Sequence, residues 1–183
     1  KKCVFSHRGV GEDTKSFAIA LKYAMRQDPD IILIGEMRDK ETIEAALTAA
    51  ETGHLVFGTL HTSSAPRTIN RIIDVFTGDE QPQIRSMLST SLVAVIAQAL
   101  LPKLQGGRIA VSEIMVTNHA IANLIREDKV HQIYSQMQLG QGNTGMQTQT
   151  QIMLKYVRDG VISRDNAIQF SNKQDEMIKA LNY

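Results

Sequence analysis

The stretch RQDPDIILIGEMRD, Arg26 to Asp39, decides the fold. Pro29 stops the helical pattern before it, because proline lacks an N–H and crowds the residue ahead of it. Ile31 to Gly35 then reads IILIG, short, β-rich and apolar throughout. That is the pattern of a parallel strand buried on both faces. The run ends in Gly35, Glu36, Met37, Arg38 and Asp39. Ligands of open parallel sheets sit beyond the carboxyl ends of the strands, so the chemistry is sought first at this acidic turn.

The same logic extends to either side. On the amino-terminal side, Cys3 to Phe5 reads as a short strand. DTKSFAIALKYAMRQDPD reads as a helix capped by Asp13 or Thr14, with Phe17, Leu21, Ala24 and Met25 at helical spacing. On the other side Asp39 caps a helix whose stripe is Ile43, Ala46, Leu47 and Ala50, and Gly53 ends it. HLVFGTL, His54 to Leu60, is a second buried strand. TSSAP caps a helix carrying Ile69, Ile72, Ile73 and Phe76, and a further helix carries Ile84, Met87, Leu88, Leu92 and Val95. LPKLQGGRIAVSEIMV forms a hairpin turning at Gly106 and Gly107. Five short helical stretches follow. Alternating strands and helices imply an α/β fold with a parallel-rich sheet and flanking helices over residues 1–116, and a helical region over 117–183.

Composition narrows the function. The 183 residues are 43% hydrophobic and 21% charged, with a net charge of +1. A nucleic-acid partner calls for a basic face or stacking aromatics, and neither is evident. The single cysteine, Cys3, excludes an intrachain disulfide framework and a cysteine-rich zinc site, and it fits a reducing cytosol. No apolar run reaches the length of a membrane span. KKCVFSHRG at the start reads as the middle of a domain, so a missing front half is expected.

Two strand ends deliver polar groups. Four apolar residues, a glycine and Glu36 make a Walker B pattern, in which the acid orders a Mg²⁺-bound water or activates the attacking one. An acid in this place also serves elsewhere as a helix cap or surface charge. Asp39 reads as a cap, and Arg38 as half of a surface ion pair. The second strand ends in Thr59, Leu60, His61 and Thr62, whose hydroxyls and imidazole suit a γ-phosphate. His54 and His61 are seven apart on one strand. At about 3.3 Å per residue they lie roughly 23 Å apart and on opposite faces, so they do not share a metal. His7, His119 and His131 read as surface or packing residues. A phosphate cradle of the form G-x-x-x-x-G-K-[ST] is missing, since no Gly-Lys pair occurs, and it is expected before residue 1. LGQGNTG, residues 139–145, spells G-x-G-x-x-G, yet a dinucleotide turn must follow a strand, and helical spacing precedes this one. Its glycines are expected to end one helix and enter the next.

These blocks together resemble the carboxyl-terminal half of the type IV pilus retraction ATPases, the PilT-type motors among the hexameric secretion ATPases with RecA-like cores. RQDPDIILIGEMRD resembles their Walker B segment, and AALTAAETGHLVFGTLHTSSA their His box. VGEDTKSF, SEIMV and GMQT also fit, and the likeness covers about residues 1–165. The resemblance implies Glu36 as general base or Mg²⁺-side acid, reaching the metal through water. It implies His54 and His61 as the two His-box histidines, with Thr59, Thr62, His54 and Arg38 on the nucleotide and γ-phosphate side. Arg38 would order the acidic turn or reach a neighbouring subunit. AIANLIRE, residues 120–127, resembles the motif needed for retraction rather than hydrolysis. Asn123, Leu124, Ile125, Arg126 and Glu127 match, while Ala122 replaces the motif's first arginine.

The resemblance further implies ATP and Mg²⁺ as cofactors and a cytoplasmic homo-hexamer at the inner-membrane face. It also implies a platform protein of the pilus machine as partner, with no zinc and no nucleic acid. Extension and secretion ATPases usually carry a four-cysteine zinc module, and no cysteine follows Cys3. The alternatives are an accessory retraction paralogue or a related type II or type IV secretion or pilus extension ATPase and, in a different class, a non-catalytic assembly module. No ATP turnover is expected from residues 1–183 alone.

Overall fold

A computed structural model describes residues 2–139 and 141–182. The chain divides into two compact units. The first comprises residues up to His61 together with Val75–Thr77, and the second Thr62–Asp74 together with residues from Gly78 onward.

In the first unit, helix α1 (Phe17–Ala24) runs into a 3₁₀ turn (Met25–Gln27), then strand β1 (Ile31–Ile34), helix α2 (Lys40–Glu51) and strand β2 (Leu55–Gly58). The cap of α1 is Ser16 rather than Asp13 or Thr14: its hydroxyl accepts from the Ile19 N–H. Asp13 is occupied one turn earlier, accepting from the Gly9 N–H at 2.8 Å. Asp28 ends the 3₁₀ turn at φ 54°, so Pro29 follows a residue already outside the helix. Cys3–Phe5 is exposed and forms no strand.

β1 and β2 run parallel in register, Ile31 beside Leu55 and Ile34 beside Gly58. Their burial corrects the sequence expectation. Ile32 and Ile34 are buried under Leu21, Ala46 and Ala49 of the two helices, with Val56 packed against them. Ile31, Leu33, Leu55 and Phe57 are exposed, Leu33 at 75%. Both helices lie on one face, so within this unit the other face has no cover. The stripe of α2 is Ile43, Ala46, Leu47 and Ala49; Ala50 is half-buried.

The second unit holds helix α3 (Ala65–Ile73), helix α4 (Gln81–Ser91), the antiparallel strands β3 (Ala94–Pro102) and β4 (Arg108–Val116), and helices α5 to α10. Those are α5 (His119–Arg126), α6 (Ile133–Leu139), α7 (Gln141–Thr144), α8 (Gln149–Arg158), α9 (Arg164–Phe170) and α10 (Gln174–Leu181). Leu92 caps α4 and Val95 lies in β3, so neither extends the helix as the spacing suggested. Phe76 is buried, but three residues past α3. The hairpin turns as expected: Gly106 and Gly107 sit at φ 85° and 73°, where a side chain is strained. Leu101 and Val111 of the hairpin share one core with Met153, Ile162, Ala167 and Met177 of the helices. The boundary expected at residue 116 therefore passes through this unit, because the hairpin's apolar face is the floor on which the helices pack.

Within LGQGNTG, Gly140 lies outside the described residues. Of the rest, Gln141–Thr144 form one helical turn, and Gly145 at φ 70° opens the way to α8.

Candidate functional site

The carboxyl ends of β1 and β2 are tied by backbone and hydroxyl bonds. The Met37 N–H donates to the Thr59 carbonyl at 3.0 Å, and the Thr59 hydroxyl donates to the Gly35 carbonyl. Gly58 makes room for this turn, since a Cβ there would lie 2.6 Å from the sulfur of Met37. Met37 in turn packs against the core beneath the helices. The acidic turn is thus anchored on both sides of Glu36.

Three predicted residues meet there. Arg38 Nη2 lies 2.8 Å from Glu36 Oε2, and His61 Nε2 lies 3.7 Å from the same oxygen. The side chains stay accessible: Glu36 35%, Arg38 66% and His61 77% exposed. An ion pair in so much water contributes at most about 1 kcal/mol, so its effect is to orient the carboxylate, not to hold the fold. Asp39 caps α2 as read from the sequence, accepting from the Thr42 N–H at 2.8 Å and its hydroxyl at 2.9 Å. Partial burial pushes the Asp39 carboxyl up, but the bonds from Thr42 outweigh it and hold the group below its usual value.

One predicted residue is not brought to this end. His54 stands immediately before β2, at the strand end opposite Glu36. Its Nδ1 donates to the Ala49 carbonyl at 3.0 Å and lies 3.2 Å from the Thr52 hydroxyl. It closes the carboxyl end of α2, and four strand residues separate it from the phosphate side expected of it. Thr62 begins the second unit, where its hydroxyl lies 2.7 Å from that of Thr68. Among the described residues no group of three or more His, Cys, Asp and Glu is placed to hold a metal ion.

The retraction-like segment forms α5, capped by Asn118, which accepts from the Ile121 N–H at 2.9 Å. Ile121 and Ile125 are fully buried, while Leu124 is half-buried. Asn123, Arg126 and Glu127 are exposed; Arg126 donates to the Asn123 side chain, and Glu127 accepts from Lys129 at 2.7 Å.

Sequence reasoning passed over Glu113. It sits on the buried face of β4 between Val111 and Met115, opposite Ala97, and is 3% exposed. Its Oε1 accepts from the Ala65 N–H at 2.8 Å and its Oε2 from the Gln149 N–H at 3.4 Å. One carboxylate therefore serves the amino ends of both α3 and α8, whose own caps are Ser64 and Thr148. Burial pushes its carboxyl above the usual value, opposed by those two N–H groups and by Lys173. The available signal was the alternation of VSEIM, which places Glu113 inward.

Residues 10–106 carry the decisive likeness, matching the family described as Type II/IV secretion system protein. The chain belongs to this family. Its relatives include the "Type IV pilus retractation ATPase PilT" of Pseudomonas aeruginosa, 59% identical over 91% of this chain and 48% of that protein. The "Twitching motility protein" of Neisseria gonorrhoeae is 52% identical over 97% of this chain and 47% of that one. The chain thus spans about half the length of the curated relatives it matches. In solved structures, the pilus retraction motor PilT with bound ADP superposes with a TM-score of 0.86 at 50% identity, over 96% of this chain and 51% of that one. The Legionella pneumophila ATPase DotB superposes at 0.78 with 30% identity, over 88% and 44%. An α/β fold with a following helical region is therefore the fold of this family member, and none of its described helices is long and apolar enough to cross a membrane.

Proposed function

We propose that this chain is the carboxyl-terminal part of an ATPase whose turnover drives type IV pilus retraction. The observation that carries the reading is the Glu36 carboxylate, anchored beyond the parallel strands and oriented by Arg38 at 2.8 Å. Relatives named as a retraction ATPase and a twitching motility protein support the biological role.

In this reading Glu36 takes the proton of the water that attacks the γ-phosphate. Arg38 occupies Oε2, leaving Oε1 for that water. His61, 3.7 Å from Oε2, faces the same space and donates to phosphoryl oxygen as charge builds. Thr59 acts through structure, holding the turn. Mg²⁺, when bound, offsets the charge on the β- and γ-phosphoryl oxygens. A lone carboxylate already paired with arginine fits that ion only through a water, so Glu36 is assigned to the outer side of its shell. His54 is assigned to closing α2 and not to the phosphates.

The same proposal extends to assembly. Asn123, Arg126 and Glu127 present the exposed face of α5 to the pilus machine, while Ile125 and part of Leu124 hold the helix in place. The working unit is a cytoplasmic homo-hexamer that docks at the inner membrane on a platform protein. In the full-length protein, Glu36→Gln is expected to abolish ATP turnover and keep nucleotide binding. Turnover at the parent rate would remove Glu36 as the base. Cells lacking the gene are expected to remain piliated and lose twitching; bald cells would indicate an extension motor instead.

A further inference from the structure

A concave site lies wholly within the second unit. It is a cavity of about 290 Å³, at the small end of ligand pockets, with Arg67, Lys173, His131, Tyr134 and Thr150 among its walls. Its inner end is closed by Glu113, which is held by the amino ends of α3 and α8. The favourable field of those two helix ends is therefore already used by a resident carboxylate.

What is left over is positive charge. Arg67 is exposed and makes one side-chain hydrogen bond, to the Ser63 hydroxyl at 3.1 Å. Lys173 stands 4.0 Å from the centre of the Tyr134 ring and shares its field with the buried Glu113, with no carboxylate among the described residues within ion-pair distance. Among the described residues neither cation meets a carboxylate within ion-pair distance. Tyr134 fixes the lysine in place. Its hydroxyl donates to Glu176 at 2.8 Å and lies 3.0 Å from the Thr150 hydroxyl. Burial and then Glu176 push the phenol up to about 12, so it remains a neutral ring under the ammonium. His131 also lines the cavity, exposed and 3.3 Å from the Gln132 side chain.

We propose that this cavity binds a phosphate group, free or as the head of a small organic phosphate, between Arg67 and Lys173. A guanidinium fork and an ammonium suit a tetrahedral dianion, which accepts from both and satisfies two charges that a monocarboxylate would satisfy only once. The site stands apart from the ATPase reading, since it uses none of the residues around Glu36.

Equilibrium dialysis with labelled inorganic phosphate tests it, on the full-length protein and its Arg67→Ala/Lys173→Ala variant. The wild type is expected to bind one more phosphate per chain than the double variant, with affinity there at least about tenfold weaker in the variant. The charge-keeping Arg67→Lys/Lys173→Arg variant should retain that extra phosphate. Sulfate should displace it and acetate should not. Glycerol phosphate binding more tightly than inorganic phosphate would assign the cavity to an organic phosphate, and the reverse to the free ion. Equal phosphate counts in wild type and double variant, or displacement by acetate as readily as by sulfate, would overturn the proposal.

Discussion

Replacing Glu113 with alanine is expected to destabilise the second unit by about 2–4 kcal/mol. The figure follows from what the carboxylate satisfies. It accepts the Ala65 N–H at 2.8 Å and the Gln149 N–H at 3.4 Å, and it is 3% exposed. A buried N–H left without an acceptor costs about 1–3 kcal/mol, and the longer bond belongs at the low end. Removing a desolvated charge offsets part of this loss. Glu113→Gln keeps one acceptor oxygen but turns an amide NH₂ toward the other N–H, so about half the loss is expected. The pH dependence has a definite sign. The folded-state carboxyl titrates above its usual value of 4.5, so the folded chain holds the proton longer than the unfolded one. Its contribution is fully present below 4.5 and is lost as pH rises through the raised value. The wild type should thus lose stability on rising through that window, and Glu113→Gln should not. Urea midpoints across pH 4 to 8, with amide exchange at Ala65 and Gln149, measure both effects. Unchanged midpoints in Glu113→Ala with both amides still protected would refute the reasoning.

Other consequences are local. Asp39→Ala should cost about 1 kcal/mol at neutral pH through loss of the α2 cap. Because the Asp39 carboxyl lies below its usual 3.8 when folded, that cost should shrink as pH falls beneath this value, as thermal unfolding at several pH values would show. Gly107→Ala places a side chain at φ 73° and should lower stability by about 1 kcal/mol in denaturant titrations. Arg85, whose guanidinium meets Asp128 at 2.7 Å and is 14% exposed, ties α4 to the end of α5. Arg85→Ala should therefore speed amide exchange at the end of α5 while leaving the first unit unaffected.

Much of this was legible because periodicity and turn chemistry are local. The strand over Ile31–Ile34, the Asp39 cap and the Gly106–Gly107 turn each follow from a few adjacent residues. The pairing of Glu36 with Arg38 is equally local, two residues apart on one turn. Burial was less legible. An apolar run predicts cover on both faces, but cover depends on where the helices pack, and both pack on one. The cap of α1 moved to Ser16 because Asp13 had a closer partner in Gly9.

The sequence by itself determined the family, the order of elements and the acid at the end of β1, since these are carried by contiguous motifs. Only the tertiary structure decided which polar groups meet. Parallel pairing of β1 with β2 set His61 beside Glu36 and left His54 at the opposite end, although both histidines flank one strand. Packing of the helices on the hairpin turned Glu113 from one alternating strand residue into the shared acceptor of two helix starts. Those partners lie 48 and 36 residues away from it in the chain, and only packing in three dimensions brings them within hydrogen-bond reach.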